Sequence, residues 1–300
     1  VFVVFLAMFV IGVWGDETSL IPEMKLGSTT LNVRGFVTGF YIEKAKKETI
    51  WKDFWLLSKW QLNEGLSLDG EFNLAYDDQE GIEDNWLRVL RLSYRLSDNW
   101  KLNLGRLPLS TIYITPPPYL IETVNYPKKP VNIYGWAVQL AGKFGDWSIK
   151  TDISGRSGVA FDQRENLDQA EWSGRLTRNF GTRFMLGVTS QLSERNQMVS
   201  LDYWWKPVDK LAIRGAWFRA IGEDLDWVGA YSFAAYRLKP WLEFHTQIEG
   251  RTVGHNREVI STNGIRLIGG KGQGCLTIDY ESVLDGEQDN RLLARVRVRF

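Results

Sequence analysis

The chain of 300 residues has a single cysteine, Cys275, so it can form neither an intrachain disulfide nor a cysteine-built zinc site. It has no excess of either charge: 36 Lys and Arg stand against 36 Asp and Glu. That balance argues against a nucleic-acid binder, whose footprint is basic. No apolar run reaches the 18 or so residues of a membrane-spanning helix. A mean hydropathy of −0.24 is likewise too polar for a helical membrane bundle. What the chain has in quantity is aromatic residues and glycine, with 14 tryptophans and 28 glycines. Leu, Ile, Val and Phe are plentiful, which excludes disorder. Such a chain can meet a membrane without being uniformly apolar.

Val1 to Trp14 is apolar except for Gly12, and the first charge is Asp16. This run is too short to span a bilayer as a helix. It fits the apolar region of a secretory signal, with Val13-Trp14-Gly15 before the cleavage point. Residues 1–15 are therefore expected to be a signal-peptide remnant lacking its basic start and initiator Met. Residues 16–29 are expected to be a periplasmic lead-in, and 30–300 the folded body.

From Thr30 onward one pattern recurs. Leu66, Leu68, Gly70, Phe72, Leu74 and Tyr76 alternate with Ser67, Asp69, Glu71 and Asn73. Leu276, Ile278 and Tyr280 alternate with Thr277, Asp279 and Glu281. Period two means strand, because successive side chains point to opposite faces. Segments of this kind occur at 30–42, 51–62, 65–76, 86–96, 99–105, 132–143, 146–154, 169–180, 182–192, 197–206, 210–219, 227–238, 240–250, 257–268, 273–284 and 291–300. Tight connections, such as Ser97-Asp98, Phe144-Gly145 and Lys239-Pro240, alternate with longer polar ones, at 43–50, 77–85, 155–168 and 251–256. Short turns at one rim and long loops at the other are the habit of a transmembrane barrel. In lipid every backbone polar group must be paired, so the sheet must close. The fold expected is all-β: a closed antiparallel transmembrane β-barrel of about sixteen strands.

The tryptophans agree with this register. Trp60, Trp100, Trp147 and Trp205 face outward near the short-turn rim, and Trp86, Trp172 and Trp217 face outward toward the long-loop rim. Indole is apolar with one polar N–H, so two such belts read as membrane girdles. Trp55, Trp204 and Trp241 are too scattered to form an aromatic track for sugars.

The last strand ends in Arg-Val-Arg-Val-Arg-Phe, the first carries Gly35-Phe36, and the longest connection, 106–131, falls between the fifth and sixth strands. In these features the chain resembles the sixteen-stranded bacterial outer-membrane porins over 30–300. Gly105-Arg106-Leu107-Pro108 is similar to porins of the phosphate-selective group. The resemblance implies a passive diffusion channel for small hydrophilic solutes, with no chemistry performed. It implies Phe300 as the signal to the barrel-assembly machinery, a homotrimer in outer-membrane lipid, and a third external loop folded into the lumen as a constriction. That loop here holds Arg106, Pro116, Glu122, Lys128 and Lys129. It lacks the acidic Pro-Glu-Phe-Gly-Gly element of classical enteric porins, so their constriction chemistry does not transfer. Its length and five prolines independently favour a stiff, functional connection.

The expected lumen face carries Arg34, Lys59, Arg91, Arg95, Lys101, Lys150, Arg175, Lys206, Arg214, Arg266, Arg291, Arg295, Arg297 and Arg299. Against them stand Asp69, Glu71, Asp152, Glu171, Asp202, Glu243, Glu249, Asp279 and Glu281. The basic surplus predicts a mild preference for anions. Two other classes compete. A lipase- or protease-type barrel needs a histidine as general base, and only His245 and His255 exist. His245 lacks the Ser-Asn-Gly context of barrel phospholipases. A structural or adhesive barrel needs larger external loops than these. The acidic run 77–84 has oxygen ligands enough for a divalent cation but no EF-hand spacing, and it reads as a solvated loop. In porins the second external loop, which this run is by count, often latches onto a neighbouring subunit. Cys275 reads as a small wall residue, and neither a cofactor nor a metal is expected.

Overall fold

A computed structural model describes residues 24–26, 29–44, 47–77, 81–82, 87–109, 134–156, 166–192, 196–222, 225–253, 256–269, 274–286 and 290–299. The strands are β1 (Met24–Leu26), β2 (Thr29–Lys44), β3 (Lys47–Gln61), β4 (Leu66–Asp77), β5 (Gly81–Ile82) and β6 (Leu87–Arg95). They continue with β7 (Trp100–Pro108), β8 (Tyr134–Phe144), β9 (Trp147–Arg156), β10 (Asn166–Phe180), β11 (Phe184–Leu192) and β12 (Asn196–Val208). The last six are β13 (Leu211–Gly222), β14 (Leu225–Lys239), β15 (Leu242–Val253), β16 (Asn256–Gly269), β17 (Gly274–Asp285) and β18 (Arg291–Arg299).

Two of these are short additions. β1 folds back on the start of β2, inside the stretch expected to be a lead-in. β5 pairs with Tyr76 and Asp77 at the tip of β4, within the acidic run. The other sixteen are the expected strands, each antiparallel to the next. β9 pairs with β10 and β18 with β2, so every one of the sixteen has two neighbours and the ring closes. No free edge remains, the condition a sheet must meet in hydrocarbon. Strands of 9 to 16 residues are long enough to cross a bilayer at the usual tilt.

Several strands run further than their composition indicates. Glu43 pairs with Glu48 and Lys44 with Lys47, so the expected loop 43–50 is mostly ladder. Arg251, Thr252 and Val253 pair with Glu258, Arg257 and Asn256, which shortens the expected loop 251–256. Polar side chains disguise these strand ends, yet backbone pairing continues there. β7 likewise runs to Pro108, which places Arg106 in the wall and not in the loop where the sequence put it. The rest of that connection, with Pro116, Glu122, Lys128 and Lys129, lies outside the described residues, as do Trp86 and Phe300.

Period-two patterning sets the two faces. Outward positions carry Val138, Ile153, Val188, Leu201, Trp172, Trp205 and Trp217, all exposed. Trp60 is exposed at the short-turn end of β3, and Trp136 adds an outward indole near the start of β8. Trp100 lies over Gly142 on the next strand, and the Arg178 guanidinium stacks over Trp147 at 4.9 Å. Large exposed apolar side chains in this number have no place in water and match a lipid-facing belt. Inward positions carry most of the buried polar and charged residues.

Alternation breaks twice. Between Glu71 and Phe72 the register slips, so Leu87, Arg88 and Val89 face two residues of β4. The bulge turns Arg88 toward Glu71, which feels the charges of both Arg88 and Arg91. At Gly105 the backbone takes φ +118°, and a side chain there would strike the Leu90 carbonyl. Beyond it Arg106 and Leu107 are both buried, and Leu107 clusters with Leu109 and Ala137.

Candidate functional site: the barrel lumen

The candidate site is the inner wall, built by every second residue of sixteen strands. One ladder row runs Asn103, Gln139, Asp152, Ser173, Gln191 across β7 to β11. Asn103 Nδ2 donates to Gln139 Oε1 at 3.0 Å, and Gln139 Nε2 donates to Asp152 Oδ2 at 3.4 Å. The Ser173 hydroxyl donates to the other oxygen of Asp152. Gln139 Nε2 also reaches the Pro108 carbonyl at 3.1 Å, tying the end of β7 to the wall. Each buried amide or carboxylate thus finds its partner sideways along a row, as burial requires.

Two bridges skip a strand. Arg175 on β10 grips Asp202 on β12 with two hydrogen bonds, Nη1 to Oδ2 at 2.5 Å and Nη2 to Oδ1 at 2.7 Å. His245 on β15 contacts Asp279 on β17 through Nε2. The residue between them on the intervening strand is glycine each time, Gly187 and Gly264. A methyl group at either position would collide with both partners of its bridge. Absence of a side chain is what lets these pairs meet over a neighbour's backbone.

The wall from β14 to β18 is sealed and internally neutralised. Arg237 and Arg266 both approach Glu243, at 3.3 and 3.8 Å. Arg251 pairs with Glu258 and Arg291 with Glu281. Asp279, Glu281, Arg291 and Arg295 are each under 5 % exposed, with Phe233 and Leu293 fully covered among them. Glu249 accepts from Gln247 at 2.9 Å. Arg214 projects inward between Trp204 and Phe233 in its row.

The wall from β3 to β9 differs. Arg91 holds Asp69 at 2.9 Å, while Lys59, Arg95, Lys101 and Lys150 are exposed and make no ion pair among the described residues. Arg95 stands directly opposite Lys101, and Lys150 directly opposite Arg175. A cavity of about 640 Å³ opens here, lined by Lys59, Asp69, Glu71, Arg91, Val89 and Pro108 among others. The inner surface therefore has a paired sector and a basic one.

Of the residues expected in the lumen, Asp69, Glu71, Arg91, Arg95, Arg175, Arg214, Arg266, Asp279, Glu281 and Arg295 all fall on the inward face. Arg88, Arg237, Arg251 and Glu258 also belong to it and were missed. Arg88 is hidden by the bulge, and the others sit at strand ends whose extent the sequence understates. Among the described residues no three His, Cys, Asp or Glu side chains form a metal-binding group.

No protein-family model and no curated protein matches the chain. Solved structures do. OmpF of Salmonella typhi in complex with daunomycin is similar at TM-score 0.71 and 10 % identity, over 93 % of this chain and 100 % of that one. The in-vitro folded, trimeric form of OmpT, an outer membrane protein of Vibrio cholerae, gives 0.66 and 11 %, over 91 % and 100 %. A triple mutant of the Rh. blastica porin gives 0.68 and 7 %, over 90 % and 100 %. At such identities the likeness establishes the architecture: a sixteen-stranded antiparallel barrel of the outer-membrane type.

Proposed function

We propose that the chain is an outer-membrane diffusion channel that passes small hydrophilic solutes and ions, with a mild preference for anions. The observation that carries this reading is the division of the wall: apolar outward, polar and charged inward, on all sides of a closed ring. Porins among the solved structures of this fold support it. The anion preference rests on which charges are left bare. Asp69, Asp202, Glu243, Glu258, Asp279 and Glu281 each contact a basic side chain. Lys59, Arg95, Lys101 and Lys150 keep their charges facing the lumen, where low-dielectric walls strengthen their action on passing ions.

The hydrolase alternative needs a histidine that reaches water or substrate. The His245 side chain has 0 % exposure and its Nε2 is committed to Asp279. His255 lies outside the described residues. A trimeric state draws support from the trimeric OmpT structure. An exported start at residues 1–15, assembly through Phe300 and an infolded 106–131 connection complete the proposal.

Planar-bilayer recording tests it. Stable unit conductance with a reversal potential on the anion side is expected in a salt gradient. Absence of conductance refutes the channel; clear cation selectivity refutes the charge assignment.

A further inference from the structure

The outward belt is interrupted on one sector. From β3 to β13, hydroxyls among the Leu, Val, Ile, Phe and Trp at mid-strand are scattered, such as Ser58, Thr151 and Ser190. Thr151 accepts a hydrogen bond from Trp172 Nε1 at 2.9 Å. On β14 to β16 three successive outward rows read Ala234, Thr246, Asn263, then Ser232, Ile248, Ser261, then Ala230, Gly250, Val259. Ser282 on β17 extends the middle row. Ala230, Ser232, Thr246 and Asn263 are exposed.

Hydrocarbon offers no hydrogen bonds, so an amide at mid-height on a lipid-facing wall is costly. Part of the demand is met internally. Thr246 Oγ1 donates to Asn263 Oδ1 at 2.8 Å, and Asn263 Nδ2 donates to Ser261 Oγ at 3.2 Å. The second amide hydrogen of Asn263 finds no partner among the described residues. Ala230, Ala234 and Gly250 keep the surface shallow, so another backbone can come close, as at small-residue contacts in membranes. Four strands at about 4.8 Å spacing make the sector roughly 19 Å wide. These rows carry no Lys, Arg, Asp or Glu, hence no charge pattern that would select a foreign partner.

We infer that the outward face of β14 to β17 is the surface through which copies of this chain pack against one another. The inference rests on the trimeric reading and names the wall that reading leaves open. In a cyclic trimer the contact is heterologous, so this sector supplies one half and meets a different patch of the next copy.

The test uses the full chain in a Cys275→Ser background, purified in mild detergent. Light scattering gives the oligomeric mass, and a lipid-soluble maleimide probes Asn263→Cys against Val138→Cys on the far side of the barrel. A trimer in which the thiol at 263 reacts about tenfold or more slowly than that at 138 is expected, since interface cores are fully buried. Ala234→Trp should yield folded monomers and Val138→Trp should leave the trimer intact. Should Ala234→Trp fail to fold, the labelling ratio decides alone. A trimer with equal labelling at 263 and 138 overturns the location and leaves the trimer standing. A wild-type monomer at every concentration overturns both.

Discussion

Gly264 and Gly187 show how a residue without a side chain can specify a contact. Each lies between the partners of a bridge that spans three strands, and each would be filled by one methyl group. At Gly264 the new carbon would overlap Asp279 and His245 and stand 2.7 Å from the Ile278 carbonyl, which cannot move without breaking the ladder. Gly264→Ala is therefore expected to destabilise the barrel by about 1–3 kcal/mol through overpacking, more if the buried His–Asp contact is lost. The urea midpoint in micelles measures this, with Gly65→Ala, whose nearest neighbour is 3.7 Å away, as the benign comparison. Equal midpoints would show that the bridge yields without cost. Little of this was legible in the sequence. Alternation placed Arg175, Asp202 and Asp279 on the inner wall, but which residues meet two strands apart depends on register, which composition does not encode.

At the scale of the strand, alternation was enough to find all sixteen barrel members, because each must present one face to lipid and one to the lumen. It failed where backbone pairing and side-chain polarity part company. β2 and β3 continue through Glu43, Lys44, Lys47 and Glu48, whose composition reads as loop. β6 contains a bulge that a period-two reading steps over, and so Arg88 was assigned to the outer face by default. The bulge makes a sharp prediction. In a Cys275→Ser background, Arg88→Cys should react with a membrane-impermeant thiol reagent entering through the pore. Leu90→Cys, outward and opposite Gly70, should not. If the two react alike, or if Leu90→Cys alone reacts, the strand alternates without interruption and Arg88 leaves the lumen set. The constriction residues at 116, 122, 128 and 129 could be named only by resemblance, since position within a long connection follows no periodicity.

For the whole molecule, formal neutrality conceals a separation of charge. Acids on the inner wall are mostly spent in pairs with arginine, and the lysines near the 640 Å³ cavity are not. An ion crossing the barrel therefore meets a wall that is neutral on one side and basic on the other. The strength of that asymmetry depends on screening, because the Debye length falls from about 10 Å at 0.1 M salt to about 3 Å at 1 M. Anion preference should accordingly be largest in dilute salt and fade toward the free-solution mobility ratio in concentrated salt. Lys59→Glu, Lys101→Glu and Lys150→Glu combined should reverse it, each exchange changing the local charge by two. The same exchange at Arg183, at the short-turn rim and exposed beside Asp209, should leave it nearly unchanged. Reversal potentials at two salt levels separate the outcomes. If the triple variant keeps the wild-type sign, selection is exerted elsewhere along the pore than at the exposed cations of β3, β7 and β9.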